Sequence, residues 1–192
     1  MSNLGISVDW HYTQEHSNKI EIREIVPEFK GIFATDYIER GEYIFQRWND
    51  RCLMLTVEEI KKLQPAHKLT FEKYATELYE NIFVGPYENE DISAMPAYFI
   101  NHSCDPNTWL VSDHDVAARR SIKKGEQVTI DYATLILHEF ESSKITKCLC
   151  GETICRDKVS KDDWWLMKDI YRGHFLSIIQ QRINEKENRR RT

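Results

Sequence analysis

Ile100-Asn101-His102-Ser103-Cys104-Asp105-Pro106-Asn107 and Lys124-Gly125-Glu126-Gln127-Val128-Thr129-Ile130-Asp131-Tyr132 carry the most structural information in the chain. The first places polar side chains, a cysteine and a proline where a strand interior would not tolerate them. Taken alone, its Asn-His pair reads as a turn, and a lone histidine is more often structural than catalytic. The second is a turn at Lys124-Gly125 that feeds a β-run over 127–132, ending on Asp131-Tyr132.

Working outward, short β-type runs occupy 19–25, 31–34 and 43–48, with Pro27 after the first and an Arg40-Gly41 turn before the third. Thr56-Val57-Glu58-Glu59 forms a capping box, with threonine at the N-cap and glutamate three positions on. Phe71, Tyr74, Ala75, Leu78 and Tyr79 recur at helical spacing and predict a helix packed on the core through that stripe. Further strands are expected at 81–84, 108–111 and 115–119. Ser160-Lys161-Asp162-Asp163 predicts a helix start, with the helix running through Arg172 and stopped by Gly173. Phe175, Ile178, Ile179 and Ile183 mark a last amphipathic helix, and Arg189-Arg190-Arg191 a solvated tail. Many short strands with few helices predict a β-rich α+β fold: one domain with a helical appendage.

The cysteines add a second constraint. Cys148-Leu149-Cys150-Gly151-Glu152-Thr153-Ile154-Cys155 has the spacing C-x-C-x4-C. A tetrahedral zinc site needs four ligands, so a fourth must come from elsewhere: Cys52, Cys104 or a histidine. Gly151 lets the chain curl around a metal. The 192-residue chain is 41% hydrophobic, enough for one real core, and its five cysteines suit thiols or metal ligands in a reducing, intracellular setting. Met1 to Trp10 lacks the pattern of a signal peptide, and no run approaches the roughly 20 apolar residues of a membrane span. A net charge of −5 argues against general nucleic-acid binding and suits a basic partner such as a lysine-rich peptide.

On these residues the sequence resembles the SET-domain protein lysine methyltransferases. Their N-H-S-C-x-P-N signature is followed by G-E-x-[hydrophobic]-T-x-D-Y, and both halves occur here in order. Lys30-Gly31-Ile32-Phe33-Ala34, with Ile38 and Gly41, resembles the opening SET block, and the cysteine cluster resembles the post-SET segment. The resemblance implies a fold of small β-sheets around a knot-like crossing, with a helical insert and C-terminal helices. It implies an N-terminal segment at 1–18, a SET domain at 19–134 with a variable insert at about 49–96, a post-SET zinc segment at 144–160, and a helical extension with a basic tail at 161–192. It also implies the missing ligand: one structural zinc held by Cys104, Cys148, Cys150 and Cys155, with Cys52 unassigned.

The resemblance further implies methyl transfer from S-adenosyl-L-methionine to a lysine amine, with Tyr132 as the catalytic tyrosine. Lys30, Gly31, Ile32, Phe33, Tyr98, Asn101, His102 and Tyr132 are the implied cofactor residues. Phe99 and Ile130 are the implied channel residues, and the aliphatic Ile130 implies that more than one methyl can be added. The chain departs from the family at two places: Phe29 stands where the opening loop often has its first glycine, and Tyr98 replaces a common arginine. Trp164 and Trp165 admit two readings, an aromatic lid on the cofactor or channel and helix-core packing. The implied partner is a protein or peptide bound as an extended strand, histones being the family-based candidate, with no nucleic acid or membrane partner. The competing reading is a catalytically silent SET domain that binds peptides or partners.

Overall fold

In the computed structural model, which describes residues 16–27, 29–47, 52–141 and 144–190, the two motif stretches lie side by side. Residues 1–15 of the expected N-terminal segment, Trp48 and Arg191 fall outside the described residues. Strand β1 (Ile20–Val26) turns back antiparallel onto β2 (Phe29–Ala34), with Ile22 opposite Ile32. Strand β10 (Gln127–Ile130) adds to β2, with Val128 opposite Ile32. Strand β7 (Asn101–His102) then pairs parallel to β10, so that Thr129 faces Asn101 and Ile130 faces His102. A parallel pair needs a long crossover between its strands, and residues 103–126 supply it.

That crossover contains β8 (Thr108–Leu110) and β9 (Asp115–Ala118), which form a second sheet with β3 (Tyr43–Gln46). A third sheet, in the order β4-β6-β5, comprises β4 (Leu53–Thr56), β5 (Thr76–Tyr79) and β6 (Ile82–Gly85), with α1 (Val57–Ile60) and α2 (Pro65–Tyr74) between its strands. The architecture is therefore α+β and β-rich, as expected. At α1 both halves of the capping box form: the Thr56 hydroxyl accepts from the Glu59 backbone, and the Glu59 carboxylate from the Thr56 backbone.

Three local expectations need correction, and one strand was not expected. The helical stripe ends at Tyr74: Ala75 turns extended, and Leu78 and Tyr79 belong to β5, because pairing of Thr76 and Glu77 with β6 satisfies their backbone better than another helical turn. Strand β4 had no expectation at all. The run expected over 127–132 stops at Ile130, where Asp131 caps a one-turn 3-10 helix, Tyr132–Thr134, by accepting from the Ala133 N–H. The helix expected through Arg172 closes as α3 (Asp163–Met167), after which the chain breaks to bury Tyr171 and turns again at Gly173, whose φ is +81°.

Nor is the C-terminal extension an appendage. Tyr171, Phe175, Leu176, Ile179 and Ile183 are all closed into the same hydrophobic cluster as Ile32, Val116, Val128 and Ile130. The apolar stripe of α4 (Ser177–Arg189) thus packs as its spacing predicts. Where the stripe runs out, Lys186 lies 4.2 Å and Arg190 4.7 Å from the Trp165 ring centroid, so cation–π contact continues what apolar burial begins. Trp164 is buried in the main cluster and Trp165 packs against it, an arrangement of helix packing for both. Leu176 also donates its backbone N–H to Thr134 O at 3.1 Å, stitching the start of α4 to the turn that carries Tyr132. Leu176→Ala should destabilise the chain by about 2–5 kcal/mol, read as a lower urea midpoint at unchanged slope.

Candidate functional site

The parallel pairing of β7 and β10 brings Asn101, His102 and Tyr132 together from positions about thirty residues apart. Asn107 fixes that pairing from the side. It is almost fully buried, donates to Gln127 O at 2.7 Å and accepts from the Thr129 N–H at 2.9 Å, so one amide stands in for a neighbouring strand. Thr108 adds a hydroxyl bond to Thr129 O at 2.8 Å. Sequence reading gave neither residue a role, because an amide bonding a strand edge leaves no pattern in one dimension.

Tyr132 is half-buried, and its hydroxyl donates to Ile100 O at 2.8 Å. Burial pushes this phenol up to about 12, so it stays protonated at neutral pH and acts as a positioned hydroxyl rather than as a phenolate. In the unfolded chain the phenol titrates at about 10. Between those values the unfolded chain gives up a proton that the folded chain keeps. Stability from this group is therefore full below about pH 10 and is lost as pH rises towards 12. Urea midpoints taken from pH 9 to 11.5 should fall more steeply for the wild type than for Tyr132→Phe.

His102 links this turn to sulfur. The Tyr132 backbone N–H can only donate, so the His102 Nδ1 it meets at 3.2 Å is the acceptor. Burial pushes the imidazole down to about 4, against the opposing pull of Asp131. The ring is thus neutral, its proton sits on Nε2, and that N–H points at Cys104 Sγ, 3.3 Å away. The Tyr132 and His102 rings lie 5.4 Å apart.

The sulfurs of Cys104, Cys148, Cys150 and Cys155 lie within 4.8 Å of one another, and they form the candidate metal cluster among the described residues. The backbone N–H of Arg156 donates to Cys104 Sγ at 3.3 Å, and that of Asp157 to Cys155 Sγ at 3.4 Å. Burial pushes the Cys104 thiol up to about 11 and the Cys148 thiol to about 12. Burial would raise Cys150 too, but the Cys104 and Glu152 backbone N–H groups and the neighbouring sulfurs outweigh it and bring that thiol to about 7. Four sulfurs converging on one point, with backbone N–H donors aimed at Cys104, Cys150 and Cys155, fit a tetrahedral thiolate metal such as zinc. Cys52 lies apart from the cluster.

The remaining expected residues divide. Asn101 donates from Nδ2 to Lys30 O at 3.0 Å, and Lys30 Nζ lies 5.4 Å from the Phe99 ring centroid. A Cβ on Gly31 would meet the side-chain ends Gln127 Nε2 at 2.5 Å, Asn101 Nδ2 at 2.8 Å and Ile25 Cδ1 at 2.9 Å, so glycine lets these three side chains close over β2, and a larger residue would have to displace them. Lys30, Gly31, Phe99 and Asn101 therefore share one neighbourhood. The side chains of Ile32 and Ile130 are instead closed into the core, and Phe33 carries the Arg23 guanidinium over its ring at 5.1 Å. Tyr98 is buried against Tyr74 of α2, its ring edge-on at 5.1 Å.

The SET-domain family model matches residues 30–133. Among curated proteins, an H3 lysine-9 specific histone-lysine N-methyltransferase of Fusarium mangiferae is 32% identical over a match that covers 70% of this chain and 44% of that protein. A histone-lysine N-methyltransferase of Arabidopsis thaliana is 28% identical, with 77% of this chain and 40% of that protein covered. The chain thus spans less than half the length of these curated relatives. Among solved structures, the methyltransferase domain of human histone-lysine N-methyltransferase SETMAR superposes with a TM-score of 0.52 at 19% identity, covering 74% of this chain and 58% of that one. That likeness is one of fold.

Proposed function

This chain belongs to the SET-domain family, and from that membership we propose that it transfers a methyl group from S-adenosyl-L-methionine to the side-chain amine of a lysine in a protein, histones being the first candidates. The observation that carries the reading is the convergence of Asn101, His102 and the Tyr132 hydroxyl at the parallel β7–β10 pair. S-adenosyl-L-methionine supplies an electrophilic methyl group on a sulfonium. Lys30, Gly31, Asn101 and His102 are the residues that would hold it, since β2 and the β7–β10 pair bring them to one neighbourhood. Phe99 would stand beside them as a wall of the lysine channel.

Tyr132 spends its hydroxyl proton on Ile100 O, which leaves its oxygen lone pairs as acceptors for an amine N–H. An amine held this way presents its own lone pair in one direction, and such orientation can carry much of a transfer barrier. A phenol that stays protonated to about 12 removes no proton itself, so the role is orientation and not general-base catalysis. Cys104, Cys148, Cys150 and Cys155 would hold one structural zinc, consistent with the fit of the sulfurs. The substrate would bind as an extended strand. No helix among the described residues is long and apolar enough to cross a membrane.

The test is transfer of labelled methyl from S-adenosyl-L-methionine to core histones and to a whole-cell lysate. A labelled band whose digest contains methyl-lysine is the expected result. Cofactor binding without transfer to any protein would favour the catalytically silent binding module.

A further inference from the structure

Asp131 is 0% exposed, so its carboxylate must be paired. Its partner comes from the cysteine-rich segment. Arg156, next in sequence to Cys155, donates from Nη1 to Asp131 Oδ2 at 2.8 Å and from Nη2 to Oδ1 at 2.7 Å. Its third nitrogen, Nε, donates to Asp163 Oδ2 in α3 at 3.0 Å. Its backbone N–H lies on Cys104 Sγ. One residue is therefore pinned by its main chain to the sulfur cluster and by its side chain to the residue that immediately precedes Tyr132. Asp131 Oδ1 also accepts from the Ala133 N–H, which makes the same carboxylate the cap of the Tyr132–Thr134 turn.

We propose that Arg156 is a positioning residue: anchored by the metal-binding segment, it sets the Asp131-capped turn and so couples that segment to the placement of the Tyr132 hydroxyl. The inference rests on the methyl-transfer reading given above. A guanidinium does this where an ammonium would not. Its donors are fixed in one plane and can serve two carboxylates at once, whereas lysine offers a single point of charge on a flexible stem. Arg156→Lys keeps the charge but cannot keep both legs. The turn then loses its fixed reference to the sulfur cluster while Asp131 stays neutralised.

The experiment compares wild type with Arg156→Lys in the full chain, labelled with 3-fluorotyrosine and with the Tyr132 signal assigned by Tyr132→Phe. Zinc content and circular dichroism should hold, KM for peptide and cofactor should stay within about threefold, and kcat should fall about 10- to 100-fold, the scale set by small misplacements. The fluorine resonance of Tyr132 should shift or broaden, while those of the exposed Tyr37, Tyr79 and Tyr87 stay in place. A change in kcat without a change in the Tyr132 resonance, or the reverse, overturns the proposal, as does no change in either. Should Arg156→Lys fail to fold, Asp163→Asn removes only the α3 leg and should move both readouts in the same direction by less. A wild type that transfers no methyl group sinks the proposed reaction instead, and the resonance then decides the coupling by itself.

Discussion

Cys148→Ser is expected to release one zinc per chain and to free residues 144–160 while the rest of the molecule stays folded. The proposed metal is the strongest tie on that segment: structural zinc contributes on the order of 10 kcal/mol in small peptides near neutral pH. The polar ties that would remain include the Arg156 clamp on Asp131 and Asp163 and the bond from the Ser103 hydroxyl to Glu152 Oε1 at 3.2 Å. Hydrogen bonds of these kinds are worth about 1–3 kcal/mol each, so losing the metal removes a contribution comparable with all four of them together. Helix α4 is a different matter. Leu176, Ile179 and Ile183 are closed into the main core, and each such side chain contributes about 1.5–3 kcal/mol by burial. Loosening should therefore stop short of α4. Hydrogen exchange read by mass spectrometry, with zinc counted by a colorimetric chelator, decides the matter. Fast exchange over 144–160 with protected 177–189 is the expected pattern. Full zinc content in Cys148→Ser, or loss of protection throughout α4, contradicts the assignment. Cys52→Ser should keep the metal, since Cys52 stands outside the cluster.

Tyr132→Phe is expected to lower methyl transfer by about 10²–10³, the range found when a positioned hydrogen-bonding group is removed from a reacting centre. Its stability cost is smaller by comparison. Loss of one hydroxyl bond to Ile100 O is worth about 1 kcal/mol, whereas a thousandfold rate loss corresponds to about 4 kcal/mol of barrier. The two magnitudes separate a catalytic role from a structural one. Zinc content, circular dichroism and cofactor affinity should match wild type while kcat collapses. A variant that loses stability and rate in step would make Tyr132 a core residue, and an active variant would move the chemistry elsewhere.

The motifs over 100–107 and 124–132, the capping box at Thr56 and the apolar stripe of α4 were legible in one dimension, because each is a short-range pattern that backbone geometry imposes directly. The sequence by itself also determined the β-rich α+β class and, through resemblance, the family and the cysteine quartet. It did not determine where backbone pairing would override local spacing. Leu78 and Tyr79 carry helical periodicity yet sit in β5, since an edge offered by β6 satisfies their backbone groups. Arg190 reads as a tail charge, but Trp165 gives it, and Lys186 before it, a ring to lie on. Only the tertiary structure could pair Asp131 with Arg156, Asn107 with the edge of β10, and the His102 proton with Cys104 sulfur. Each of these is a buried polar group whose partner lies far along the chain, and what selects the partner is the demand that no such group be left unsatisfied once water is excluded.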